Sequence, residues 1–190
     1  MNEFSLLCRI LGTLVYRHPN DPAVEPLWEL LAQGKLNQHW PLEQDELLAQ
    51  LQRAYDRDSL GTDYEALFYG ESPAVTPFGH QWPQGPAEAE VKNFLTTRGM
   101  PLSETPADHF GLLLLAASWL EDHAADDENQ AIITLFETFL LPWCGAFLGK
   151  MEAHAQTGFY RALAMTTRGA VQAMAEELLE AEGLDDDEGQ

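Results

Sequence analysis

From Phe110 to Leu120 the chain reads FGLLLLAASWL, and the wider stretch 106–123 is apolar on nearly every side when wound as a helix. A helix on a protein surface needs a polar face, so one without it has to be surrounded by other elements. The stretch therefore predicts a central helix with a bundle packed around it. The rest of the chain can supply that bundle, because it reads as helix after helix and never shows the alternation of a half-buried strand.

Residues 3–17 put Phe4, Leu7, Leu11, Leu14 and Val15 on one face, and His18-Pro19 ends the run. Asp21-Pro22 reads as an N-cap with a following proline for a second helix carrying Leu27, Trp28, Leu30 and Leu31, stopped at Gly34. A third helix is expected over about 43–57, with Leu47, Leu48, Leu51, Ala54 and Tyr55. Thr62 and Glu65 form a capping box for a short helix over 63–69, with Tyr64, Leu67 and Phe68 on one face and Gly70 as its stop. Pro86 opens another helix, with Val91, Phe94 and Leu95 inward and Arg98-Gly99 at its end. Thr105, Pro106 and Asp108 read as N-cap, first-turn proline and acidic third residue of the central helix, which places His109 in the first turn as a neutral imidazole. A helix over about 128–150 should kink at Pro142. A shorter helix with Phe159, Tyr160 and Leu163 and a last one with Val171, Met174, Leu178 and Leu179 follow. Residues 181–190 read as an acidic, frayed tail.

Between the aromatic helix and the central one lies a loop, 71–86, with Pro73, Pro77, Pro83 and Pro86 among its residues and Phe78, His80 and Trp82 along it. Ordered loops of this length are uncommon and tend to be binding elements. The loop is also the one seam in the chain, between a half at about 1–70 and a half at 87–180 that together make a single domain. The two cysteines, Cys8 and Cys144, stand far apart in apolar patterns and read as reduced core residues. The acidic turn of Glu121, Asp122, Asp126, Asp127 and Glu128 has no regular metal-ligand spacing, and the histidines stand singly, so no metal or cofactor is expected. Phosphate-binding loops, nucleotide fingerprints, nucleophile elbows and zinc-protease motifs are all missing. An Asp-His pair in a helical chain admits a metal-dependent hydrolase only weakly, because the further histidines of such a site are lacking. A net charge of −21 opposes nucleic acid and anionic lipid and favours a basic partner. The apolar runs 110–120 and 139–149 are about half the length that spans a bilayer, and the amino terminus has no basic segment ahead of an apolar one, so a cytoplasmic location is expected.

The YxxLF of Tyr64, Leu67 and Phe68, then Gly70, Pro77-Phe78 and Trp82, and finally PADHFGLLLL from Pro106 resemble the paired signatures of the TorD/DmsD/NarJ family of redox-enzyme maturation chaperones. LLPWCGAFLGKMEAHAQTGFYRAL resembles that family's C-terminal helices, and the YcdY-type branch is nearest in pattern. The resemblance implies an all-α, TorD-like helical bundle of about nine to ten helices and a protein without catalysis. It also implies a client-binding site at Tyr64, Leu67, Phe68, Pro77, Phe78, Trp82, Asp108 and His109, taking a basic and apolar segment such as a twin-arginine leader. Family members also exchange halves to form dimers, so a monomer or an exchanged dimer is expected, with the 71–86 loop as hinge. One position departs: two residues after the glycine of the DHxG turn, where the family often carries an acid, this chain has Leu113. That departure widens the expected clients to a cytosolic metalloenzyme protected during metal loading. The competing reading from a different class is a scaffold subunit in which the same residues only join the two halves.

Overall fold

The computed structural model describes residues 2–123 and 127–188, with side chains through residue 183. The described residues are helices and connecting turns, with no strand among them. In order, α1 is Glu3–Tyr16, α2 Glu25–Ala32, α3 Asp45–Ala54, α4 Arg57–Phe68, α5 Glu88–Thr97, α6 Phe110–Asp122, α7 Glu128–Thr134, α8 Leu141–His154 and α9 Gly158–Glu188. Short 3-10 turns lie at Pro22–Val24, Leu36–His39 and Gly79–Gln81.

The apolar helix α6 is the central one: Phe110, Leu113, Leu114, Ala116 and Ala117 are all fully buried. Its closest neighbour is α1, and the two backbones meet at a pair of glycines. A Cβ on Gly12 would lie 2.8 Å from the Gly111 carbonyl oxygen, and one on Gly111 would lie 2.7 Å from the Tyr16 nitrogen and 2.8 Å from the Gly12 carbonyl oxygen. Further along, the Ser5 and Ser118 hydroxyls share a 2.8 Å hydrogen bond, and the Ser5 hydroxyl also reaches Asp122 Oδ1 at 2.7 Å. Arg9 closes that end with a 2.6 Å ion pair to Asp122. Around this pair, α9 packs on α3 and α8, and one apolar core runs from Leu7 to Met174. Contacts between α1 and α6 and between α3 and α9 cross the 71–86 loop, so the two halves share their packing.

The helix bounds differ from the sequence reading in several places, each for a local reason. The aromatic helix begins at Arg57, well before Thr62, because Asp56 accepts the Asp58 N–H as its N-cap; Thr62 is an ordinary exposed helical residue. The expected 43–57 helix stops at Ala54, where Tyr55 turns extended. Ahead of Pro142, where a kink was expected, the turn Leu135–Leu140 widens to π geometry, which re-routes the ladder before a residue with no N–H to give, and the helix runs on through it. The helical run Glu128–His154 that results is long and apolar enough to cross a membrane, yet most of it is buried against the rest of the bundle. The two expected C-terminal helices are one, α9, whose backbone stays helical to Glu188 through most of the stretch expected to fray. Asp126 of the acidic turn lies outside the described residues. Burial pushes up the pKa of both thiols, Cys144 to about 12, so they stay protonated core groups.

The glycine contact sets a direct expectation. Gly111→Ala should lower the unfolding free energy by about 1–3 kcal/mol through overpacking against α1. Gly145→Ala, where an added Cβ meets nothing within 4 Å, should raise it by up to about 1 kcal/mol through helix propensity. Urea denaturation of both variants checks the pair, and equal effects would remove the crowding argument.

Candidate functional site

The loop after α4 is held by a definite set of bonds. Gly70, at φ +88°, turns the chain out of α4. The loop then folds back along the helix it left, with the N–H groups of Ala74 and Val75 donating to the carbonyls of Ala66 and Leu67 at 3.1 and 2.8 Å. Next it is strapped to the start of α6: the Gly79 N–H donates to the Asp108 carbonyl at 3.0 Å, and the Phe110 N–H donates to the Pro77 carbonyl at 2.8 Å. The Trp82 indole N–H closes it by donating to the Thr76 carbonyl at 2.9 Å. Gly79 and Gly85 touch so closely that a Cβ on Gly85 would fall 1.7 Å from the Gly79 oxygen. The loop is a built element with few ways to rearrange.

This strapping re-assigns the residues ahead of α6. Asp108 does not cap the helix. The N-cap is His109, whose Nδ1 accepts the Gly111 N–H at 3.0 Å. Asp108 instead faces the loop, where its Oδ2 accepts from the His80 backbone N–H at 2.7 Å and lies 2.6 Å from the His80 ring Nδ1. The carboxylate is fully buried, and its other oxygen, Oδ1, has no hydrogen-bond partner among the described residues. The His80 ring is 40% exposed and forms the lid over it. A buried acceptor with nothing to accept carries a desolvation cost of about 1–3 kcal/mol, so an incoming donor has something to gain there. His109 is packed edge-on between Tyr16 and Phe78, with ring centroids at 5.1 and 5.4 Å. Its burial drives the imidazole pKa down to about 3, which keeps it the neutral acceptor that the cap needs.

Pro77 and Phe78 form a ridge with a cleft on each side. One, of about 470 Å³, lies among Tyr16, Arg17, Tyr69, Pro106 and His109. The other, of about 440 Å³, lies among Glu71, Val75, Thr76, Trp82 and Lys150. Trp82 is half-buried on Trp143 and Phe147, and the Lys150 ammonium sits over its ring at 5.2 Å. Of the residues expected at a site, Pro77, Phe78, Trp82 and His109 line these clefts, and Phe68 shows its edge to both. Asp108 lines neither cleft, and nor do Tyr64 and Leu67. They are core residues, and the Tyr64 hydroxyl donates to the last carbonyls of α1, those of Val15 and Tyr16, at 3.0 and 2.9 Å. Leu113 is also fully buried, so its departure from the family pattern changes the core of α6 and no cleft wall. The sequence reading left out Tyr69, which is 58% exposed at the first cleft, and Lys150. Tyr69 falls just off the Tyr64, Leu67 and Phe68 stripe, and that offset was the available signal. His80 stood among the loop aromatics without a role.

Comparison with known proteins places the chain among relatives along most of its length. The family described as nitrate reductase delta subunit matches residues 33–149. The chain is 58% identical to the chaperone protein YcdY of Escherichia coli, over 95% of this chain and 98% of that one. It is 41% identical to an uncharacterized protein of Haemophilus influenzae, over 95% and 97% of the two chains. It is 28% identical to the Tat proofreading chaperone DmsD of Salmonella typhimurium, over 88% and 86%.

The burial of His109 fixes the sign of one pH effect. Above its ordinary pKa of 6.5 the ring is neutral in both folded and unfolded chains. As pH falls from 6.5 towards about 3, the unfolded chain takes a proton that the folded chain refuses, so stability is lost across that window. His109→Asn keeps an acceptor for the Gly111 N–H but cannot titrate. Its unfolding free energy should therefore fall less steeply through this range than that of the parent, by up to about 1.4 kcal/mol per pH unit. Urea denaturation at stepped pH measures both slopes.

Proposed function

The chain belongs to the nitrate reductase delta subunit family of redox-enzyme maturation chaperones, and from that membership and the Phe78 ridge we propose that it is a cytoplasmic chaperone holding a basic and apolar client segment across the two clefts. It is a binding protein and not an enzyme; its relatives are named for chaperone work. The client is a redox or other metalloenzyme, engaged while its cofactor or metal is inserted. What supports the reading is an apolar ridge with a cleft on each side, together with a buried carboxylate behind the His80 ring, outside both clefts, that has an unused oxygen.

The chemistry is recognition and shielding. Apolar client side chains lie against Phe78 and Trp82, which the strapped loop holds in place before binding, so little ordering cost remains. A client guanidinium reaches Asp108 by displacing the His80 ring, and its parallel N–H groups satisfy both carboxylate oxygens in place of one. Tyr64 and Leu67 contribute by holding α4, the loop's anchor, and do not touch the client. The E. coli relative is named simply as a chaperone, whereas the Salmonella relative is named for Tat proofreading. The segment bound here is accordingly a twin-arginine leader or the equivalent region of a cytosolic metalloenzyme.

Calorimetric titration with a synthetic twin-arginine leader peptide tests the site. Phe78→Ala and Trp82→Ala should each weaken binding by at least about tenfold, or about 1.4 kcal/mol; the unfolding midpoint should change little for Phe78→Ala and fall for Trp82→Ala, whose indole closes the loop. Asp108→Asn should weaken binding and flatten its salt dependence, because one charge contact is gone. His80→Ala, which removes the internal competitor, should strengthen it. Unchanged affinity in all four variants would show that the client binds elsewhere.

A further inference from the structure

A second groove lies at the far end of α1. It has a volume of about 560 Å³, and its floor is Phe4 and Leu7 of α1, Met174 and Leu178 of α9, and Leu42 from the turn before α3. Phe4 and Leu7 stand at i, i+3; Met174 and Leu178, with Ala181 beyond them, stand at i, i+4, i+7. Each helix therefore turns one apolar stripe into the groove. A trough between two helical stripes is the shape that a third helix fills by ridge-into-groove packing at about 8–10 Å between axes.

The rim has one sign of charge. Among the described residues, Glu3, Glu121 and Glu177 line it, and no Lys, Arg or His does. Glu121 accepts a hydrogen bond from the Asn2 side chain and also crowds Glu128, whose carboxyl is pushed up by desolvation and then by the hydrogen bond and charge of Glu121. Carboxylates gathered around an apolar floor, with no base in the lining, are complementary to an apolar stripe flanked by cations. A second copy of this chain fits poorly, because a net charge of −21 sets like charge against the rim.

We propose that this groove docks a basic amphipathic helix of a partner protein, with aliphatic side chains on the Phe4, Leu42 and Leu178 floor and Lys or Arg paired to Glu3, Glu121 and Glu177. The groove meets α1 at its first turns, and the Phe78 clefts meet it at Tyr16; the helical rise from Leu7 to Tyr16 sets them about 14 Å apart. The surfaces are separate, so a partner can be held at both. Two linked contacts raise affinity far above either one when the geometry lets both engage.

The test uses two synthetic peptides of about 15 residues, long enough to form a helix on the surface. One is a Leu/Lys amphipathic helix and the other the same pattern in Leu/Glu. Calorimetry gives affinities, and backbone amide shifts of the full chain give the position. The Leu/Lys peptide should shift amides within residues 3–7 and 173–181 and leave 76–82 unmoved, and the Leu/Glu peptide should not bind. Glu3→Gln with Glu177→Gln should raise the Kd by at least about fivefold without altering the fold. Leu178→Glu should abolish binding while the twin-arginine leader still binds at Phe78. Shifts scattered over other acidic faces, equal binding of the two peptides, or an unchanged Kd in the glutamine double variant would each overturn the proposal. Self-association of the parent that Leu178→Glu abolishes would overturn it too, by assigning the groove to a second copy. A failure of the leader to bind at Phe78 would not touch it, since this groove is read from its own residues.

Discussion

The bundle depends on one close approach, where the backbones of α1 and α6 touch at Gly12 and Gly111 with no room for a side chain between them. That contact fixes how far α6 advances along α1, and so it fixes where Asp108 and His109 stand relative to Tyr16. The loop is strapped to Asp108 and Phe110, on either side of His109, by two backbone hydrogen bonds, so the position of Phe78 follows from the glycine pair. Crowding of this kind is a stiff constraint, because a packed interior yields little to an added methyl group.

Helix α4 carries a second set of ties. Tyr64 satisfies the last carbonyls of α1, and its neighbour Asp63 satisfies the start of α9 by accepting from the Gln156 and Thr157 N–H groups at 3.0 and 2.8 Å and from the Thr157 hydroxyl at 2.6 Å. Both side chains are buried. Two adjacent residues on one helix thus close two other helices' open ends, one with a hydroxyl at a C-terminus and one with a carboxylate at an N-terminus, where the helix dipole favours each. The resemblance-carrying Tyr64 is therefore a tie within the fold, and the cleft beside it is a consequence.

The central helix, the all-helical class and the long loop were legible in the sequence because they rest on periodicity and on proline placement, which are local. Asp108 was not, since Thr105-Pro106 offered a complete local capping signal. The competing strap at Phe78 and Gly79 comes from 28 positions away in the His80–Asp108 pairing and shows only in three dimensions. Asp63 shows the same limit, because its partners lie 93 and 94 positions later and no spacing rule reaches that far. Pro142 was read as the place where its helix is disturbed, but the form of the disturbance, a π turn at Leu135–Leu140, is one that no residue pattern announces.

The pairing of α1 with α6 also sets an order of events during synthesis. Ser5 and Ser118 stand 113 positions apart, so α1 leaves the ribosome with its apolar stripe made and its partner still to come. At about 5–20 residues per second the wait is on the order of 5–20 s, far longer than a helix needs to form and long enough for an exposed stripe to meet other chains. Contacts of such long range also slow folding of the finished chain, since a large loop must close before the central contact forms. A chain of this chaperone family therefore passes through a stage in which its own first helix is unsheltered.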